Sequence, residues 1–547
     1  MSPKRLTAIV PLLALLIPGT VLGEESVEEA PERRGSDFVD TRITFVFSDD
    51  NVFAGPGETL VNSPAPDFGP RDGNFFPFEN LDSRDSGQET LSHLVLYRQM
   101  PGYLPNLHTE AALVLRTRLF GPGNVSLQDD GSYIRMALDV GGGGRSALPV
   151  DPGQTSADGD PEALPRMETG DRNIELVLFP YTSERFRLGY AWDLSWGGRD
   201  IFTEVNRRPV PALRLQFNHP VFYAFGGVKT TQQVQATADP SDDGYNELQA
   251  FYGLLGGFGF RPIDLMTWEV NGGYFQSGTN RKGDVEGEPV DTAGVSTRLS
   301  LHQGFQARAS ADFRLVRNTP ELFDSFLRPP PPTHERLAWR LSLEGSMVMQ
   351  SLGDPDRIGG TRVQRAYAGA VSGTLGFGNT RIGVDVLSRS LGYMLINVPG
   401  LDPFNAFSED SEQTPEVLAA LSAQYTFRGP RLTPGALVGV QFPATYQGLI
   451  PQVPNQPEQL AGEQVVVVRS ADNWELLPTG EDARPIPSFK LSLRWDASPM
   501  LGFVGQVVGS YDDNQVRLVR DDRTGIPRRE FRDPLVLGFA LLAQARF

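Results

Sequence analysis

The last fifteen residues, DPLVLGFALLAQARF from Asp533 to Phe547, constrain the fold more than any other stretch. Leu535, Leu537, Phe539, Leu541, Ala543, Ala545 and Phe547 share one parity, and Val536, Gly538, Ala540, Leu542, Gln544 and Arg546 share the other. Alternation with period two marks a β-strand with two distinct faces. A strand of this length and apolarity is long enough to face lipid, since about 9–11 strand residues span the hydrocarbon core. A soluble sandwich can end in the same way, so the rest of the chain has to decide.

The N-terminus reads as an export signal. Lys4 and Arg5 precede an apolar stretch, Leu6 to Pro18, and Val21–Gly23 offers a cleavage point before Glu24. Residues 1–23 are therefore expected to be a signal peptide and 24–40 an acidic periplasmic tail, with a barrel over 41–547. The stretch is too short for an ordinary transmembrane helix. The chain has no cysteine, which excludes disulfides, thiolate metal sites and a lipid-modified cysteine anchor. An exported chain closing on an apolar strand with a terminal aromatic resembles bacterial outer-membrane β-barrels. That resemblance implies that Phe539, Leu541 and Phe547 belong to the signal read by the barrel-assembly machinery. It also implies contact with outer-membrane lipid and lipopolysaccharide.

Short alternating segments recur between Gly, Asn, Asp and Pro, the pattern of an all-β chain. Thr109–Phe120 sets Leu113, Leu115 and Leu119 against Glu110, Arg116 and Arg118. Ser132–Val140 sets Ile134, Met136 and Leu138 against Arg135 and Asp139. The most regular is Arg185–Trp196, with Phe186, Leu188, Tyr190, Trp192, Leu194 and Trp196 on one face and Arg187 on the other. Phe305–Arg317 (with Arg308 and Arg314), Glu335–Gln350 (with Arg336 and Arg340) and Phe489–Trp495 (with Lys490 and Arg494) repeat the theme. Weaker segments include 41–48, 90–98, 173–179, 212–217 (Arg214), 293–302 (Arg298) and 380–388 (Arg381). The reading is a single transmembrane antiparallel β-barrel of about 18 strands, within 16 to 20, because single-chain bacterial barrels carry even numbers.

Short connections such as Asn218–Pro220, Arg261–Asp264, Phe377–Asn379 and Arg428–Arg431 predict periplasmic turns. Long polar stretches such as 51–89, 142–172, 197–211, 391–415, 446–487 and 521–532 predict extracellular loops. Strict up-and-down alternation slips within 100–172 and again within 318–362. Strands are split or missed there, or a long loop lies on the periplasmic side.

The formal charge is −18, which speaks against nucleic-acid partners. The strand positions assigned to the lumen nevertheless carry fifteen bases against eight acids. The proposed anion path comprises Arg116, Arg118, Arg135, Arg187, Arg214, Arg298, Arg308, Arg314, Arg336, Arg340, Arg381 and Arg494. Arginine in a confined channel favours carboxylate and phosphate. The same residues also fit ladders of Arg and Asp that brace a barrel, and 45 Arg against 4 Lys points to a compositional share of the bias. By size and pattern the mature chain is similar to outer-membrane porins that export anionic exopolysaccharide, the alginate type. That resemblance implies a channel for anionic solute or polymer, with polysaccharide-export proteins as partners. The alternatives are a general or hydrophobic-substrate porin and a non-conducting scaffold. No GxSxG, HExxH or P-loop pattern occurs among five histidines, so no enzyme, metal or cofactor is expected.

Overall fold

The computed structural model describes residues 37–49, 52–53, 87–101, 104, 106–120, 124–129, 131–140, 172–184, 186–191, 194–202, 209–235, 247–280, 285, 287–305, 334–396, 406–447, 464–470, 473–498, 501–520 and 527–546. All lie in one compact unit, Arg34–Phe547. The expected signal peptide, Phe547, Arg308 and Arg314 fall outside the described residues.

The strands run β1 (Asp37–Asp49), β2 (Gly87–Pro101), β3 (Leu107–Phe120), β4 (Asn124–Asp129), β5 (Tyr133–Asp139), β6 (Asn173–Phe179), β7 (Ala212–Asn218), β8 (Phe222–Gln235), β9 (Glu247–Ile263), β10 (Met266–Thr279), β11 (Pro289–Gln303), β12 (His334–Gly353) and β13 (Thr361–Gly378). They continue through β14 (Thr380–Arg389), β15 (Glu412–Thr414), β16 (Glu416–Tyr425), β17 (Leu432–Phe442), β18 (Ala444–Gln447), β19 (Val465–Ser470), β20 (Asn473–Leu476), β21 (Ile486–Ser498), β22 (Leu501–Tyr511), β23 (Val516–Arg520), β24 (Pro527–Phe531) and β25 (Leu535–Arg546). One helical turn, α1 (Leu391–Met394), follows β14. No described helix is long and apolar enough to cross a membrane.

Nineteen strands form the main sheet. β4 pairs with the later half of β3 and β5 with its earlier half, so these two share one position and the sheet has eighteen. Between them Asp129 accepts the backbone N–H of Gly131 (3.1 Å) and Ser132 (3.2 Å), which breaks the strand locally. β1 pairs antiparallel with β25, from Arg42↔Arg546 to Asp49↔Phe539, and this closes the ring. Phe539 meets Phe47 of β1 across that seam at 5.7 Å between centroids, and Leu541 faces outward. The all-β, eighteen-position antiparallel barrel is thus as the alternation predicts. β1 begins at Asp37, inside the stretch expected to be tail.

Side chains alternate between a buried inner face and an exposed apolar outer face. In β5 Ile134, Met136 and Leu138 are exposed while Tyr133, Arg135 and Ala137 are buried. Exposed aromatics gather in two girdles. Trp268, Phe377, Tyr425 and Phe427 lie near the end with short turns, and Tyr252, Tyr274, Tyr367 and Tyr511 near the other. Tyr274 and Trp268 are six residues apart in β10, about 20 Å along the strand. Two outward indoles of the lower girdle donate within the wall, Trp268 to Thr297 (3.1 Å) and Trp339 to Gln303 (3.2 Å). A closed sheet with an apolar belt between aromatic rims satisfies its backbone internally and can sit in lipid.

Strand direction corrects the loop assignment. The connections 140–172 and 304–333 join strands at the same end as the short turns 219–221, 264–265 and 499–500. This explains the slipped alternation, because loop length alone does not identify the end. At the opposite end, parts of the stretches read as loops are strands. β15, β18, β19 and β20 form a four-stranded sheet, and β23 and β24 a hairpin.

Candidate functional site

Segment 180–211 joins β6 to β7 at the loop end, and its described residues 186–191 and 194–202 turn into the barrel. Among these described residues the expected strand Arg185–Trp196 is not formed. Leu188 and Trp196 bond to one another's backbone (2.8 and 2.9 Å) and make a tight internal hairpin. Gly189 (φ +89°) and Gly197 (φ +72°) make the turns, and a Cβ on Gly189 would lie 2.7 Å from the Leu194 carbonyl oxygen. Phe186, Leu188, Leu194, Trp196, Ile201 and Phe202 are at most 3% exposed. They pack on Phe225, Phe251, Leu255 and Phe275 of β8 to β10. The alternation that suggested a lipid-facing strand is instead buried against the inner wall. Each such side chain contributes about 1.5–3 kcal/mol on burial.

Glycines on the wall's inner face make the seats. A Cβ on Gly273 would come within 2.7 Å of Leu188 Cδ1, and one on Gly294 within 2.9 Å of the Trp196 ring. Gly227 lies under the Phe186 ring. Glycine inside a strand is the local signature of such close approach, and the pairs Gly226–Gly227, Gly256–Gly257 and Gly272–Gly273 are visible in the sequence.

Polar anchors come from the same strands. Lys229 of β8, fully buried, donates to the carbonyls of Ser183 (2.9 Å) and Gly197 (2.8 Å). Asn271 of β10 accepts the Gly189 N–H (3.1 Å), and Ser296 of β11 the Trp196 indole N–H (2.9 Å). Glu344 of β12 accepts the backbone N–H of Tyr190 and of Ala191, each at 2.8 Å. Arg298 lies 4.6 Å over the Tyr190 ring. From a loop rather than a wall strand, the Tyr393 hydroxyl of α1 donates to the Leu194 carbonyl (2.5 Å). Within the segment, burial and the neighbouring Glu184 push the Asp200 carboxyl above the usual range. Burial also raises Glu184, but Arg187 and the Arg199 N–H outweigh it and hold Glu184 below its ordinary value.

The arginines expected to line a path divide into groups. Arg135 is bound by Glu175 and by Glu110 (3.1 Å), and Arg214 lies 3.9 Å from Glu175. Arg298 contacts Glu269 at 3.1 and 2.5 Å, and Tyr223 donates to the same carboxylate (2.7 Å). These three guanidinium side chains are 3% exposed. Arg187 is not on the wall at all; it sits in the inner segment beside Glu184, with Asp200 at 3.9 Å. Arg494 donates to Asp496 (2.8 Å). Arg340 reaches Thr374 (3.4 Å), and Arg340 and Arg381 each lie 5.8 Å from the Phe305 ring. Arg116 and Arg118 lie in β3 and Arg336 in β12.

On β14, β16 and β21, Arg381, Asp385, Gln424, Lys490, Ser492 and Arg494 point inward and are half-buried. Sequence reading missed Lys229, Asn271, Ser296 and Tyr393 as anchors, and the ion pair of Arg389 with Glu416 (2.7 Å). Among the described residues no cluster of three or more metal-ligating side chains occurs.

No protein-family model matches the chain, and no curated protein matches it. Solved structures similar to it include three Pseudomonas aeruginosa proteins. For OpdL the TM-score is 0.39 and the identity 9%, covering 94% of this chain and 98% of that one. For OccK11, also called OpdR, the values are 0.41 and 10%, covering 93% and 94%. For the outer membrane protein OpdK they are 0.38 and 9%, covering 93% and 98%.

Proposed function

We propose that the chain is an outer-membrane channel for small anionic solutes, narrowed by the segment 183–202. The observation that carries this reading is the segment itself, packed inside a closed barrel and hydrogen-bonded to β8, β10, β11 and β12. Its apolar cluster reaches Leu387 of β14 and Leu418 and Ala420 of β16, and the inward Arg381, Lys490 and Arg494 of β14 and β21 are only half-buried and supply the basic lining of this reading. Bases on a narrow polar wall favour anions over cations. The apolar belt between aromatic girdles supports an outer-membrane setting. A constricting segment of this bulk supports small solutes rather than a polymer.

Planar-bilayer recording of the refolded mature protein under a salt gradient tests the reading. A steady conductance with an anion-selective reversal potential is expected. Cation selectivity or a silent bilayer would sink it, and silence would leave the scaffold alternative standing.

A further inference from the structure

The helical turn α1 belongs to two apolar clusters at once. Tyr393 and Ile396 are buried with the inner segment, in the cluster that contains Phe186, Leu194 and Trp196. Leu391, with Met394 and Leu395, packs with Ala444 and Val468 of the four-stranded sheet. The turn is tethered to the wall at both ends. Ser390 exchanges hydrogen bonds with the backbone of Tyr367 (2.9 and 2.8 Å), and the Ile396 carbonyl accepts from Gln350 (3.2 Å). Along β19, Val466 and Val468 face α1, while Val465 and Val467 pack with Leu477 and Val516 on the other side. The sheet is therefore held between α1 and the start of the β23–β24 hairpin. It also presents Trp474 to solvent, 61% exposed.

From this arrangement we propose that α1 is a wedge through which the outer four-stranded sheet controls the inner segment. The wall strands hold that segment along β8 to β12. On its other flank the Tyr393 hydroxyl holds the Leu194 carbonyl. Displacing the sheet withdraws Leu391 and its neighbours, tilts α1 about its Ser390 and Ile396 tethers, and lifts Tyr393 from Leu194. Packed elements with two discrete arrangements carry such coupling, and elements that move come from the less stable part of a fold. The surface that senses a ligand is then the sheet. The consequence for ion flow rests on the channel reading above, whereas the mechanical link does not.

Two substitutions separate the link from the reading. Tyr393→Phe removes the hydroxyl that reaches Leu194. Val468→Ala thins only the outer cluster and touches nothing in the inner segment. Hydrogen exchange at amides 186–198 is expected to quicken by about threefold or more in both, more in Y393F. Switching between conductance levels is expected to quicken in parallel. A Leu391→Cys/Val468→Cys pair in this cysteine-free chain, once oxidised, is expected to suppress switching until a reductant is added. Unchanged exchange at 186–198 in V468A would overturn the wedge, whatever Y393F does. Faster exchange in a barrel that carries no current would keep the wedge and overturn the channel.

Discussion

The two sides of the lumen wall use the same residue types for different ends. On the side from β5 to β12, Arg135, Arg214, Lys229 and Arg298 are 0–3% exposed, and each has carboxylate or carbonyl oxygens around it. On the side from β14 to β22, Arg381, Lys490 and Arg494 remain half-buried. A count of basic residues on the inner face mixes these two populations. In the channel proposed above, the second is the group that would meet a passing solute. The first fixes the wall and the segment that leans on it, because a buried charge must be paired.

The comparison breaks most sharply at Lys229. Lys229→Met strands the buried carbonyls of Ser183 and Gly197 and removes the ammonium that lies 5.5 Å over the Phe186 ring. The inner segment is expected to leave its seat, and single-channel conductance to rise severalfold. Arg298→Met abandons Glu269 in the interior and should cost about 3–5 kcal/mol of barrel stability in denaturant titration. Its effect on ion selectivity should be smaller than that of any base on the open side. Lys490→Glu should do the reverse: stability changes by no more than about 0.5 kcal/mol, while the reversal potential moves toward cations. Equal shifts in selectivity from Arg298 and Lys490 variants would erase the distinction between the two sides.

The smallest expected effect concerns pH. The raised carboxyl of Asp200 takes up its proton first as pH falls, which relieves its repulsion with Glu184 and tightens the segment. The lowered carboxyl of Glu184 resists protonation until stronger acid, where its pairing with Arg187 is lost and the segment loosens. Protection of amides 186–198, taken as exchange relative to the intrinsic rate at each pH, should therefore be greatest in mild acid. Protection that changes in one direction only would mean that the two carboxyls do not act against each other.

Most of the barrel was legible because a sheet with unlike faces must alternate. Inner and outer parity in β5, β12 and β25 follow directly from Ile134, Leu341 and Leu541. Phe186 to Trp196 misled for the same reason. Alternation reports that one face is dry, and a lumen packed with aromatics is as dry as lipid. The glycines that seat those side chains carried the missing information, since a strand loses packing wherever Gly273 or Gly294 stands unless something must come close. Ion pairing was less visible. Arg135 and its partners Glu110 and Glu175 lie 25 and 40 residues apart in sequence and meet only through the register of β3, β5 and β6.

The indoles of Trp268 and Trp339 donate to Thr297 and Gln303 rather than outward. An interfacial tryptophan usually holds a barrel at a fixed depth because its N–H seeks the headgroups. Here that tie is already satisfied within the protein, so neither ring needs the water–lipid boundary at its own height. On β10 and β12 the depth of the barrel is then set by its apolar belt rather than by tryptophan hydrogen bonds, so a bilayer that thickens or thins breaks no indole hydrogen bond on that flank.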